Sequence, residues 1–204
     1  MRWLAYGERA VLFELAGIEE VLALDHAIRA ARLTHVDDVV PGERTLLVTA
    51  ATAERLAGVV EAIQRLRPGR TAGHSASDSI EIGVTYDGPD LAEVGALVGL
   101  SSEEVVAAHT GTPWTVGFGG FAPGFAYLVN GDPRLHVPRR AEPRAAVPAG
   151  SVGLAGPYSG IYPRSSPGGW QLIGRTTVTL FDATAVPPAL LRPGMTVTFR
   201  EVGT

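Results

Sequence analysis

The sequence predicts an α+β protein with two parts. The first is a split-βαβ (ferredoxin-like) domain over residues 1–86, and the second is an all-β barrel domain over residues 87–204 that begins with two short helices. Before residue 87, strand-like alternation and helical apolar periods follow one another in the order βαββαβ. From position 111 onward lie 27 of the 40 Gly and Pro residues, which is typical of a compact barrel of short strands.

Local patterns define the six elements of the first domain. Period-2 alternation predicts the strands, and apolar residues three and four apart predict the helices. A Pro-Gly turn separates two strands closely enough for an antiparallel hairpin, and Pro68 ends the second helix. The elements are strand 10–15, helix 19–33, strands 35–40 and 45–49, helix 52–66 and strand 80–86.

The second domain opens with two helices between residues 87 and 110. Each has a predicted capping box, Asp90 with Glu93 and Ser101 with Glu104. This stretch holds five acids and no arginine, whereas residues 111–181 hold six arginines and two acids. The barrel strands are predicted at 114–118, 151–155, 171–174, 177–181 and 196–200.

Composition excludes several kinds of chemistry. All 17 cationic residues are arginine, so the chain has no lysine for a Schiff base, a covalent biotin or a phosphate loop. It has no cysteine, and its five histidines never fall at i, i+4 spacing, so we expect no metal site. A formal charge of −4 favours neither a nucleic-acid nor a membrane partner. No signal-peptide pattern or span of ~20 apolar residues is present, so we expect a cytoplasmic protein.

One basic segment is a candidate anion-binding site. Prolines recur every five residues between positions 138 and 148, and this stiff chain carries Arg139 and Arg144. A rigid segment loses less entropy when its guanidinium groups hold a carboxylate or phosphate. The alternative is a basic loop that pairs with the acidic helices at 87–104. The residues alone leave both interpretations open.

Two short motifs resemble catalytic signatures, but each lacks the secondary structure that its signature requires. Ser151 lies in Ala-Gly-Ser-Val-Gly, but prolines rather than a strand and a helix surround it, so a hydrogen-bonding role is favoured over a nucleophile. The run 117–122 resembles a dinucleotide fingerprint, but Pro123-Gly124 prevents the required helix. Aromatic residues alternate with glycine in 120–128 and 160–176, which predicts either a small polar-ligand pocket or barrel corners with core aromatics.

A series of longer motifs resembles the KipI/PxpB family, the small subunit of bacterial 5-oxoprolinase, also known as the first subunit of allophanate hydrolase and equivalent to part of the carboxyltransferase domain of urea carboxylase. The motifs contain His109, Gly120-Phe121-x-Pro123-Gly124-Phe125-x-Tyr127-Leu128, Pro138-Arg139-Arg140-x-Glu142-Pro143-Arg144, Val147-Pro148-Ala149-Gly150-Ser151-Val152-Gly153 and Ser166-Pro167-Gly168-Gly169-Trp170-Gln171-Leu172-Ile173-Gly174.

The resemblance implies a cyclophilin-like barrel after the N-terminal domain. It also implies an ATP- and Mg²⁺-dependent opening of the cyclic amide 5-oxoproline to L-glutamate, in which phosphorylation of the amide oxygen makes attack by water feasible. A larger homologous subunit of the PxpC/KipA type and a third component of the PxpA type are the implied partners. The isolated chain is therefore expected to have little or no turnover.

The resemblance also gives the candidate site residues. His109 and Tyr162 are the catalytic candidates, and the substrate- and anion-binding candidates are Arg139, Arg144, Ser151, Tyr127, Tyr158, Ser166, Gly168 and Gly169. Tyr158-Ser159 stands where family members usually carry Gln-Thr, which leaves another lactam or amide open as the substrate. Two other functions stay open as well. They are a protein-binding inhibitor of a sensor histidine kinase, and a carboxyltransferase component of urea or allophanate metabolism.

Overall fold

Two hydrophobic cores divide the chain into units of residues 1–75 and 76–204. The computed structural model describes residues 1–69 and 79–203. His74 therefore lies outside the described residues. Within the described ranges, no helix has the length and apolar character needed to cross a membrane.

The first unit is a four-stranded antiparallel sheet with two helices. Its strands follow the order β1-β2-β4-β3 across the sheet, and a 3₁₀ turn at Ala53–Arg55 precedes the second helix. The elements are β1 (Arg2–Tyr6), β2 (Ala10–Glu14), α1 (Ile18–Ala31), β3 (Val36–Pro41), β4 (Thr45–Ala50) and α2 (Leu56–Arg65).

Alternation along the two central strands builds the core of this unit. Phe13 of β2 and Leu46 of β4 are register partners and both are fully buried. Leu24 of α1 and Ile63 of α2 belong to the same buried cluster. One face of the sheet is thus covered by apolar helix residues at 3.6-residue spacing.

The second unit contains a seven-stranded sheet, a two-stranded ribbon and two helices. The sheet order is β12-β9-β10-β7-β6-β13-β5, and β11 pairs with β8 in the ribbon. The elements are β5 (Ser79–Val84), α3 (Leu91–Val98), α4 (Ser102–Gly111), β6 (Trp114–Gly119), β7 (Ala126–Val129), β8 (Arg144–Val147), β9 (Ser151–Ala155), β10 (Tyr158–Ile161), β11 (Ser166–Gly168), β12 (Gln171–Arg175) and β13 (Thr196–Glu201).

The seven-stranded sheet is nearly closed. Its two end strands meet where Thr85, next to β5, bridges to Arg175 of β12, with both backbone N–H···O distances at 2.9 Å. This α+β, barrel-like arrangement agrees with the predicted class and is consistent with a cyclophilin-like barrel. The predicted strand 177–181 is wrong, because only an isolated bridge between Phe181 and Ala189 forms there.

The first unit does not have the predicted split-βαβ order. The predicted last strand, 80–86, forms as β5, but it pairs in parallel with β13 of the second unit. The edge beside β2 is occupied by β1, which the sequence does not predict. A short turn with Gly7 at φ +68 joins β1 to β2, so this pairing closes a very small loop. The division at 75/76 accordingly precedes β5, whereas the predicted boundary at 86/87 follows it.

Candidate functional site

Seven aromatic rings form one contiguous cluster in the second unit. They come from β6, the loop before β7, β7, and the ends of β10 and β11. Ring centroids lie between 4.4 Å and 6.2 Å apart, in mostly edge-to-face contacts. The rings are Phe118, Phe121, Phe125, Tyr127, Tyr158, Tyr162 and Trp170.

Glycines in the same runs let these rings approach the backbone. A Cβ on Gly160 would lie 2.9 Å from Trp170, and one on Gly168 would lie 2.3 Å from the Tyr162 hydroxyl. The Gly-aromatic alternation therefore reflects, in part, core packing at barrel corners. The cluster still reaches the surface, because Tyr127 and Tyr158 are half-buried and Phe121 is 59% exposed.

Next to this cluster, Asp90 forms a buried ionic contact with the basic segment. One carboxylate oxygen accepts from Arg140 Nη1 at 2.9 Å and from Arg144 Nη2 at 2.7 Å. The other accepts from the backbone N–H of Leu172 at 2.7 Å. Asp90 is only 2% exposed, and three charge-assisted bonds compensate the cost of burying its charge. We call Asp90, Arg140 and Arg144 the Asp90 cluster.

The Asp90 cluster corrects one prediction and supports an alternative left open by the sequence. Asp90 makes no side-chain capping bond to α3, so the predicted Asp90–Glu93 capping box is wrong. The Ser101–Glu104 box at α4 is confirmed, with bonds of 3.1 and 2.7 Å. Arg140 and Arg144 pair with an acid of the 87–104 region, which is the alternative that the sequence left open. Anion binding by Arg144 stays a prediction. The Arg144 side chain already has Asp90 as its ionic partner.

Arg139, the other arginine predicted to bind an anion, is differently placed. Its side chain is exposed, and within residues 1–69 and 79–203 it has neither a hydrogen bond nor an ion pair. It lies close enough to Tyr162 to influence the phenol. Burial raises the pKa of Tyr162, while the Trp170 backbone N–H and the charges of Arg139 and Arg144 act in the opposite direction. Arg139 thus presents an uncompensated charge beside the aromatic cluster.

His109 is a core residue of the second unit. Its Nδ1 lies 2.7 Å from the Tyr86 hydroxyl and its Nε2 lies 2.8 Å from Ser159 Oγ. The ring stacks on Phe199 at 4.2 Å and has no exposed surface. Burial lowers the pKa of His109 to about 3, so the ring is neutral. The prediction that His109 acts on a substrate gains no support from this geometry.

Three buried polar atoms lie on the segments that surround the Asp90 cluster. Ser166 Oγ, Gln171 Oε1 and Arg140 Nε have no hydrogen-bond partner in the described part of the chain. Gln171 Nε2 contacts the Pro138 carbonyl at 3.4 Å, and the Arg140 backbone N–H donates to the Gly169 carbonyl at 2.8 Å. Unpaired buried polar atoms are costly. These segments therefore have unused hydrogen-bonding capacity.

Ser151 is another of the predicted binding residues. Ser151 begins β9 and is buried, and its carbonyl accepts from the Tyr162 backbone N–H at 2.9 Å.

Among the residues described, no group of three or more His, Asp or Glu side chains could hold a metal ion. The described residues therefore contain no magnesium site built from three or more such side chains.

The sequence pattern of one protein family matches most of the chain. It is the carboxyltransferase domain, subdomains C and D, and it matches residues 1–191. The chain belongs to this family.

Similar proteins confirm the resemblance to the KipI/PxpB family that the sequence shows. The B subunit of 5-oxoprolinase from Escherichia coli O157:H7 is 44% identical over 201 residues, which cover 95% of this chain and 92% of that protein. The crystal structure of TTHA0988 is 35% identical with a TM-score of 0.80 over 96% of this chain, but the match spans only 41% of that longer chain. The urea carboxylase of Kluyveromyces lactis, at 18% identity, has a TM-score of 0.71 and covers 98% of this chain and 22% of its own. It shows the fold alone.

Sequence reasoning misses two residues of the candidate site. Local rules assign Asp90 to a helix cap, and its partners lie 50, 54 and 82 positions away. Gln171 stands within a motif without a predicted role, although it is a buried polar residue directly after Trp170. A polar residue beside the apolar pair Leu172-Ile173 of β12 is the signal that could have identified it.

Proposed function

We propose that this chain is the small subunit of a 5-oxoprolinase, which opens 5-oxoproline to L-glutamate in an ATP-dependent reaction together with a larger homologous subunit. The 44% identity to the 5-oxoprolinase B subunit of E. coli extends over nearly the full length of both chains. The name of that relative implies further subunits, and a third component belongs to this proposal.

The free charge of Arg139 beside the aromatic cluster is the observation that carries the proposal at the level of the site. The substrate, 5-oxoproline, is a small ring with a carboxylate and an amide. A guanidinium without a protein partner can hold the carboxylate in a bidentate pair. The half-buried Tyr127 and the exposed Phe121 offer apolar surface to the ring methylenes.

The Asp90 cluster has a positioning role in this proposal. Arg140 and Arg144 neutralise Asp90 and hold the segment around Arg139 against β12. We therefore assign substrate anion binding to Arg139 rather than to Arg144. A positioned guanidinium loses less side-chain entropy on binding than one on a free loop.

The chemistry requires more than this chain offers. An amide is a poor electrophile, and ATP supplies the phosphoryl group that activates its oxygen. The described residues do not form a set of magnesium ligands, so we assign no magnesium ion to this chain. The contribution of the chain is to bind and orient the substrate within the assembled complex.

The decisive assay uses the chain alone and reconstituted with the larger subunit and the third component. ATP hydrolysis that depends on 5-oxoproline, together with glutamate formation, is expected only in the reconstituted complex. Ordinary turnover by the chain alone would refute the need for partners. A complete complex that responds to urea or allophanate but not to 5-oxoproline would refute the proposed substrate.

Arg139→Gln tests the site within the active complex. Loss of one charge-assisted contact of ~1.5–3 kcal/mol should raise KM for 5-oxoproline by about 10- to 100-fold. Arg44→Gln is the matched control, because Arg44 is an exposed arginine of the first unit with no side-chain partner among the described residues. Equal kinetics for the two variants would contradict the role of Arg139.

A further inference from the structure

One edge of the first unit's sheet is apolar and exposed. β1 is an edge strand paired with β2, and all five of its residues are exposed. Trp3, Leu4 and Tyr6 are exposed by 44%, 39% and 59%. Such an edge presents unpaired backbone N–H and C=O groups next to hydrophobic side chains, so it can pair with another strand.

The opposite edge of the same sheet is protected. β3 carries Asp37 and Asp38, has a register shift between Val36 and Asp38, and ends at Pro41. Charges, bulges and proline are features that prevent strands from adding to an edge. In β1 the charged residue is Arg2, which pairs with Glu14 of the neighbouring strand at 3.2 Å. The sheet is thus protected at one edge and open at the other.

An apolar row leads across the sheet to the open edge. Leu4 is the register partner of Leu12, and Leu47 of β4 is the partner of both Leu12 and Val40. These positions alternate with Phe13 and its buried neighbours, so the row lies on the face opposite the helices. Leu4 at one end and Val40 at the other are both exposed.

We propose that β1 pairs antiparallel with β1 of a second copy of this chain, around a two-fold axis at Leu4, and that the two four-stranded sheets form one continuous sheet. In this register Leu4 faces itself and the large Trp3 faces the small Ala5. Arg2 faces the ring of Tyr6, a favourable cation–π pair, and no like charges oppose each other. The apolar rows of the two copies join at the axis, which gives an isologous interface.

Sedimentation velocity of the purified full chain tests the proposal. From about 1 to about 100 µM, the wild type should form a concentration-dependent dimer. Leu4→Lys and Leu4→Glu each place like charges at the axis and should raise the dimer Kd by at least about tenfold. An equimolar mixture of the two variants should restore the dimer, because opposite charges then meet. Val40→Lys, at the protected edge of the same face, is the matched control and should dimerise as the wild type does.

A second variant guards against a folding defect at position 4. Tyr6→Arg, at a site that is 59% exposed, would put two arginines opposite each other and should also weaken the dimer, while circular dichroism stays unchanged. A wild type that is monomeric throughout, a dimer insensitive to Leu4→Lys, or a charge-swapped mixture that stays monomeric would overturn the proposal. A monomeric wild type whose binding to the larger subunit is blocked by Leu4→Lys would show that another protein occupies this edge.

Discussion

The two units of the chain neutralise buried carboxylates in different ways. In the first unit, Asp25 of α1 pairs with Arg29 Nε of the same helix, at 2.9 and 3.0 Å. In the second unit, Asp90 pairs with Arg140 and Arg144 and with the backbone of Leu172, which are 50, 54 and 82 positions away. The first contact belongs to one helix, whereas the second joins three segments that are distant in the sequence.

The two sets of ion pairs also differ in the solvent exposure of their arginine side chains. The Arg29 side chain is 56% exposed, so water screens its pair with Asp25. The Arg140 and Arg144 side chains are 29% and 24% exposed. If Asp90 were lost, Arg144 would have no counter-ion among the described residues, and Arg140 would keep only the exposed Glu93 at 3.5 Å. The Asp25–Arg29 pair stabilises α1, whereas the Asp90 cluster determines where the segment that carries Arg139 lies.

Removal of Asp90 should produce the largest effect on stability. Asp90→Ala leaves two partly buried guanidinium groups and the Leu172 N–H without their acceptor, so we expect a loss of ~3–5 kcal/mol in the free energy of unfolding of the second unit. Urea unfolding, with hydrogen exchange to assign the change to a unit, is the measurement.

Asp25→Ala provides the matched control in the first unit. Its i,i+4 partner Arg29 is 56% exposed and keeps its bond to the Val39 carbonyl at 3.0 Å, so a loss of only about 1 kcal/mol is expected. Asp90→Asn should fall between the two alanine variants, because the amide keeps one acceptor but no charge. Equal losses for Asp25→Ala and Asp90→Ala would show that the long-range cluster contributes no more than a helical pair.

The second largest effect concerns pH and again belongs to the second unit. The pKa of His109 is about 3 in the folded chain, below its ordinary value of 6.5. Below pH 6.5 the unfolded chain therefore binds a proton that the folded chain does not. The free energy of unfolding should fall by up to about 1.4 kcal/mol per pH unit between pH 6.5 and 3, with no contribution from this group above that window.

Urea unfolding at a series of pH values measures this slope. His109→Gln should flatten it, since an amide can bond to Tyr86 and Ser159 without titrating. His26→Gln, on the exposed side of α1, is the control for the substitution itself. A His109→Gln variant that loses stability in acid as steeply as the wild type would show that other groups cause the acid sensitivity.

Local contacts also explain which elements the sequence predicts well. The helix predicted at 19–33 is observed at Ile18–Ala31, and the strand predicted at 45–49 is Thr45–Ala50, because one-sided burial imposes a clear period on each. β1 is not predicted from the sequence because it is exposed on both faces and shows no alternation of apolar and polar residues. β5 is predicted as a strand, but its parallel partner β13 lies more than a hundred residues later. Local patterns contain no information about such a partner.

The same reasoning applies to the candidate site. The basic segment and the two Gly-aromatic runs that the sequence analysis selects lie together in the structure. The sequence cannot separate Arg139 from Arg144, because the difference depends on Asp90, an acid that local rules assign to a helix cap. It also cannot show that His109 is enclosed, since α4 gives no sign that both ring nitrogens find partners in the core.

A third, smaller effect tests the close packing of distant segments in the second unit. A methyl group at Gly168 would lie 2.3 Å from the buried Tyr162 hydroxyl, whereas one at Gly169 would lie 3.5 Å from Pro143. Gly168→Ala should therefore cost ~1–3 kcal/mol, and Gly169→Ala should be nearly neutral. Thermal unfolding measures both. Near-ultraviolet circular dichroism should change only for Gly168→Ala, and equal unfolding temperatures would contradict the packing argument.

The smallest effect has the opposite sign and belongs to the first unit. Gly58 lies inside α2, is exposed, and a Cβ there would meet no atom within 4 Å. Glycine in a helix interior costs roughly 0.5–1 kcal/mol relative to alanine, so Gly58→Ala should stabilise the first unit by about that amount. Gly7→Ala is the matched control, because Gly7 is equally uncrowded but has φ +68 in the turn between β1 and β2. A side chain in this left-handed conformation costs ~1–2 kcal/mol, so Gly7→Ala should destabilise the same unit. Hydrogen exchange in α2 and β2 distinguishes the two outcomes. If both variants shift stability in the same direction, free space rather than backbone conformation controls these positions.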